Sequence, residues 1–260
     1  MNCFVTSTPP PLGVSWWTQL GTKDGIPYQC ARLNLETAQL HAKVNVALAE
    51  AISNPGDTDN IVEVAAMAID LELKFQVWEN NIPSAWKFTS AAWIDPIDED
   101  QLEHSPCFPG RVDEYTDISV ATAWNMVRAH RIMLGASIVR TSSWLLPRDQ
   151  DYHITPEYIS TARVSQELIE DIIASVPTFL GNMPATGRTP TIERENLGGK
   201  CALALFIMWP LFIVTISDHT TDEQRKWALG RLRFIADEEG IHQASFFTQV
   251  RLSTPLQINR

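Results

Sequence analysis

Three residues at helical spacing are the first candidates for chemistry in this chain. Trp124, Arg128 and Arg131 stand at i, i+4 and i+7, so one helix presents them on one face. Two guanidinium groups beside an indole on an otherwise apolar face need partners, because an unpaired buried charge is costly. Two readings follow. In the first, the arginines pair with Asp70 or Glu72 across a helix interface. In the second, at least one donates hydrogen bonds to a ligand carbonyl or carboxylate. His130, beside Arg131, is either a helix-face histidine bonded to a neighbour or a pocket acid or donor. His242 and Gln243 follow Gly240 and either cap and pack a helix start or face the same pocket. The catalytic set is thus Arg128, Arg131, His130 and His242, with Trp124, Trp209, Trp16, Trp17 and Gln243 lining an apolar cavity. A shaped cavity with one or two donors suits cyclisation or Diels–Alder-type cycloaddition, where folding the substrate supplies proximity and a donor supplies charge stabilisation.

The segments that position these residues centre on Gly198–Ser217. From Cys201 to Ile216 only Pro210 and Thr215 interrupt an apolar run. Such a run falls short of the about 20 residues that span a bilayer. It reads as a buried central helix kinked at Pro210. Helices are also expected over Cys30–Ile52, from Asp59 to Asn80, over Asp117–Leu146, from a Thr155 cap to Ser175, from a capping box at Thr220–Glu223 to Gly240, and over Ile241–Leu252. Residues 89–113 read as an acidic, irregular surface loop, and no stretch alternates as a strand would. The expected fold is all-α: a single helical domain of about seven helices around the central one. A loop-rich arm over 1–29 precedes a helical domain over 30–252, and a tail over 253–260 follows. The arm carries Trp16 and Trp17 and is placed near the pocket mouth.

Composition excludes several classes. Lys plus Arg total 20 against 31 Asp plus Glu, a net charge of −11, which disfavours direct nucleic-acid binding. Cys3, Cys30, Cys107 and Cys201 are scattered, with no C-x-x-C pair to begin a zinc site. No metal and no cofactor is expected. No signal peptide or membrane anchor is legible in the first residues, so a cytoplasmic or nuclear location is expected. None of the H-E-x-x-H, G-x-S-x-G, P-loop or G-x-G-x-x-G signatures occurs.

Three segments carry a resemblance. The first is Ala65–Leu73 followed by Trp78, Ile82-Pro83 and Trp86. The second is Trp124–Arg128 with Arg131–Leu134. The third joins Gly198-Gly199, Trp209–Phe212, Trp227, Leu232–Ile235 and Gly240–Ala244. In order and spacing, from about residue 30 to 250, they resemble the C-terminal helical domain of fungal zinc-cluster transcription factors. That resemblance implies a regulatory, ligand-sensing helical domain. The six-cysteine zinc cluster and basic linker of such regulators have no counterpart among the four cysteines here. Two functions therefore stand side by side. One is a cofactor-independent cyclase or isomerase of fungal secondary metabolism acting on an apolar small molecule. The other is a regulator that does not bind DNA itself and works through a zinc-cluster partner, or as a homodimer.

Overall fold

The computed structural model describes residues 25–54, 58–181 and 200–249. In chain order these form α1 (Ile26–Ser53), α2 (Asp59–Asn80), β1 (Thr89–Ile94), α3 (Glu99–Leu102), β2 (Gly110–Glu114), α4 (Ile118–Leu145), α5 (Pro156–Leu180), α6 (Lys200–Ile216), α7 (Asp222–Asp237) and α8 (Gln243–Gln249). The chain is predominantly helical, as its periodicity predicts. Residues 1–24, which include Trp16 and Trp17, lie outside the described residues, as do 182–199 and 250–260.

Helix boundaries follow local chemistry. Asp117 caps α4 by accepting the Ser119 and Val120 amides at 2.7 and 3.1 Å. Thr155 accepts the Tyr158 amide at 3.3 Å ahead of Pro156, the first residue of α5. Thr221 and Gln224 form a reciprocal capping box on α7, at 3.1 and 3.0 Å. Behind α7, Gly240 turns left-handed at φ 73°, and the Ile241 amide returns to the Ile235 carbonyl at 3.1 Å.

Two expectations are corrected. Residues 89–113 are not simply an irregular loop: β1 and β2 pair antiparallel, with a register shift between Ser90 and Ala92. The sequence of β1, Thr-Ser-Ala-Ala-Trp-Ile, lacks alternation because its pairing with β2 and not a buried face holds it. Val112 and Asp113 of β2 supply the buried side. Second, α5 does not stop near Ser175. It runs through Pro177 to Leu180, and Gly181, at φ 70°, ends it with its amide on the Pro177 carbonyl. The central helix α6 likewise passes through Pro210. The missing Pro210 amide frees the Phe206 carbonyl, and Phe206 stands on the exposed side, where water can satisfy it. From Ile207 to Thr215 every residue of α6 is buried.

The described residues group into two compact units. The first comprises 25–82 with His130–Ser165: α1, α2, the second half of α4 and the start of α5. Its core holds Leu40, Val44, Ile61, Ala68, Leu71 and Phe75. The second comprises Pro83–Ala129 with 166–249: the hairpin, α3, the first half of α4, the rest of α5, and α6 to α8. In that second unit α7 clamps the acidic turn around α3. Trp227 donates to the Ser105 carbonyl at 3.0 Å, Lys226 to the Glu99 carbonyl at 2.9 Å, and Arg233 pairs with Glu103. Gly230 lets the two backbones touch, because a Cβ there would run into the Glu103 carbonyl. Gly230→Ala is therefore expected to cost about 1–3 kcal/mol by overpacking, read as a lower urea midpoint at unchanged slope. An unchanged midpoint would mean that the turn moves aside freely.

Candidate functional site

Arg128 is the best-connected of the residues singled out from sequence. It is 1 % exposed on α4, inside the second unit. Its Nη1 donates to Tyr115 Oη at 2.6 Å, to Asn125 Oδ1 at 3.1 Å and to the Asp171 carbonyl at 3.4 Å. Its Nη2 stands 3.1 Å from Asp171 Oδ2. Three rings surround the guanidinium: Phe88 and Trp124, each with a centroid 5.1 Å away, and Tyr115 at 5.9 Å. Trp124 is fixed in turn by its Nε1 donating to the Trp86 carbonyl at 2.7 Å, and Asn125 by its amide donating to Ser175 Oγ at 2.7 Å. Burial works against the Arg128 charge, but Tyr115 and Asp171 hold its pKa above the ordinary value.

A second arginine shares the same acids. Arg111, on β2, pairs with Asp171 and lies 2.9 Å from Asp113 Oδ1. Asp113 is wholly buried, and neither of its carboxylate oxygens has a hydrogen bond of good geometry. Burial pushes its pKa up to about 6, with Asp171 adding to the rise and Arg111 and Arg128 opposing it. The linkage has a definite sign. The unfolded carboxyl loses its proton near 3.8, whereas the folded one keeps it to about 6. Between those values the folded state binds more protons, so stability falls as pH rises from about 4 to 6. Asp113→Asn should remove that slope, which urea titrations at stepped pH would measure. A slope that survives the substitution would assign it to another group.

Arg131 belongs to the first unit and is described with it. Its Nε and Nη2 grip Glu72 at 3.1 and 2.6 Å, and Nη1 reaches Glu79 at 2.8 Å. The ion-pair reading named Glu72 or Asp70, and Glu72 is the partner. Asp70 is exposed and pairs with Lys74 at 2.9 Å. A cleft of about 110 Å³ opens beside Arg131, lined by Glu72, Gln76, Glu157, Ser160 and Ser165 among others. Its lining is mixed, with Ile138 and Val164 beside the charged and hydroxyl side chains.

The remaining candidates are dispersed. His130 is buried on α4. His242 and Gln243 are exposed at the start of α8, where the His242 carbonyl accepts the Ser245 amide at 3.1 Å. Trp209 is buried on α6 against Phe212 and Phe247. Sequence reasoning missed Asp171, Tyr115, Asp113, Phe88 and Arg111. One signal was available: two arginines on an apolar helix face demand acids, and Asp171 is an acid between the apolar pairs Leu168-Ile169 and Ile172-Ile173 of α5. Among the described residues no group of three His, Cys, Asp or Glu side chains could hold a metal ion. Cys30 and Cys107 are buried and outside any disulfide, and burial pushes the Cys30 thiol up to about 12, far from a reactive thiolate. No described helix is long and apolar enough to cross a membrane.

Comparison with known proteins gives one relative to report. The chain is 27 % identical over 187 residues to a protein of Emericella nidulans named transcription factor dbaG. The match covers 70 % of this chain and 41 % of that protein, so the chain spans about two fifths of its relative's length. No family model matches the chain, and no solved structure does.

Proposed function

We propose that this chain is a helical regulatory module of a transcription-factor-like protein, acting in the nucleus through protein contacts and without gripping duplex DNA itself. The observation that carries this reading is the match to transcription factor dbaG across 187 residues. The site geometry supports it. Arg128 and Arg131 are engaged by Asp171, Tyr115, Glu72 and Glu79, which makes them staples between helices. A net charge of −11 repels the phosphate backbone and leaves protein surfaces as the natural partners. A zinc-cluster protein fits the role of that partner.

The test is to tether the full chain to a heterologous DNA-binding domain and measure a reporter. A several-fold change in transcription is expected, together with no sequence-specific gel shift by the untethered chain at physiological salt. A tethered chain that reaches the nucleus and leaves the reporter unchanged would overturn the proposal.

The alternative is a small-molecule site running cofactor-independent cyclisation, with Arg128 or Arg131 as donor. The cleft beside Arg131 is the feature that favours it. At about 110 Å³ that cleft has room only for a very small molecule, since ligand pockets ordinarily run to about 300 Å³ or more. Native mass spectrometry of the protein isolated from a fungal host, showing a retained small molecule lost in Arg131→Ala, would favour it.

A further inference from the structure

Helix α2 is apolar on two opposite faces. Its buried face carries Ile61, Val64, Ala68, Leu71, Phe75 and Trp78. On the opposite side Val62, Ile69, Leu73 and Val77 are 52, 50, 54 and 61 % exposed, and Ala66 between them is exposed too. At 100° per residue these five positions form one straight stripe, about 180° from the centre of the buried face. Glu63, Asp70 and Lys74 flank it on one side, with Glu72 and Gln76 on the other. A surface helix normally carries one apolar stripe, and a second one facing water marks an interaction surface.

We infer that this stripe pairs with the same stripe of a second copy of the chain, the two α2 helices running antiparallel about a two-fold axis near Ile69 and Asp70. The order of side chains carries the inference. With the axis there, Val62 meets Val77 of the second copy, and Ala66 meets Leu73, a small residue against a large one. Ile69 meets its own counterpart. The pattern is therefore self-complementary under a two-fold, as an isologous contact requires. Charge is compatible with it: Asp70 stands across from its own counterpart beside the axis, each compensated by Lys74 of its own chain at 2.9 Å. Glu63 and Lys74 lie on the same flank, and antiparallel pairing brings each close to the other's counterpart across the axis. A parallel two-fold would instead set this flank against the opposite one, with Glu72 and Gln76, and bring no Glu63 to Lys74. The helix is 22 residues long, about 33 Å, and a contact confined to one helix pair falls under the about 1,200 Å² of standard interfaces, so micromolar association is expected.

Sedimentation velocity of the full chain over a micromolar range is the test. Wild type should shift from monomer to dimer, and Ile69→Glu and Leu73→Glu should each raise the dissociation constant at least tenfold, with unchanged thermal melting of the monomer. Lys74 also bonds Asp70 and Glu36 within the chain, so its loss alone is ambiguous. Lys74→Glu should weaken the dimer and the double exchange with Glu63→Lys should restore it, which a role within one chain would not produce. Under mild oxidation Ile69→Cys should cross-link to itself, while Val62→Cys should not, its neighbour being position 77. A monomer throughout the range overturns the inference, whichever other segment or partner then covers the stripe. So does a dimer indifferent to Ile69→Glu, and a Val62→Cys self-cross-link overturns the antiparallel register.

Discussion

Arg128→Ala should lose about 3–5 kcal/mol of folding stability, the range for removing one partner of a buried ion pair. The substitution strands its partners. Asp171 keeps Arg111, but the wholly buried Asp113 loses one of its two compensating cations. Tyr115 loses its 2.6 Å acceptor role and Asn125 one side of its bond network. The cavity between Phe88, Trp124 and Tyr115 adds the cost of lost packing. Urea unfolding followed by circular dichroism reads the loss directly. Arg128→Met with Asp171→Asn should cost less than the sum of the two singles, because the double change leaves fewer unpaired charges. A variant that stays folded within about 1 kcal/mol of wild type would remove the staple role. The guanidinium would then be free to serve a ligand, and binding or turnover would be the property to measure.

The helices were legible because their signals are local. The Thr155-Pro156-Glu157 start, the capping box of α7 and Gly240 each act within a few residues, although the box forms between Thr221 and Gln224, one residue on from the expected Thr220–Glu223. The apolar run of α6 was legible for the same reason. Long-range pairing was not. Nothing in Thr-Ser-Ala-Ala-Trp-Ile announces a strand, since β1 exists through its partner 110–114, beyond an acidic insert. Pro177 looked like a stop because proline usually breaks a helix interior, yet α5 continues for three residues. The site was half legible. That Arg128 and Arg131 need acids follows from one helix face. Which acids supply them does not: Glu72 is 59 residues from Arg131 and Asp171 is 43 from Arg128, and sequence separation says nothing about either meeting. The two arginines of α4 fall in different units, and each finds its acids within its own.

Trp209→Ala should cost about 3–5 kcal/mol, as large aromatic truncations in a core do. Its position explains the size. Trp209 is 2 % exposed, in the stretch of α6 that is buried on every side. Its ring lies 5.6 Å from Phe212 and 6.5 Å from Phe247, and those two rings are 4.8 Å apart. The three aromatics join α6 to α8, a helix of seven residues too short to hold its shape without tertiary contacts. Removing the indole should therefore act twice. It lowers global stability, read as a reduced urea midpoint, and it loosens α8, read as faster amide exchange over 243–249 than in the rest of the chain. Phe246→Ala is the matched control: that ring is 56 % exposed at the rim of the cluster and should cost well under about 1 kcal/mol. If Trp209→Ala also costs less than about 1 kcal/mol, the indole borders open space and not packed atoms. The apolar-ligand reading, which places Trp209 in a pocket wall, would then gain support.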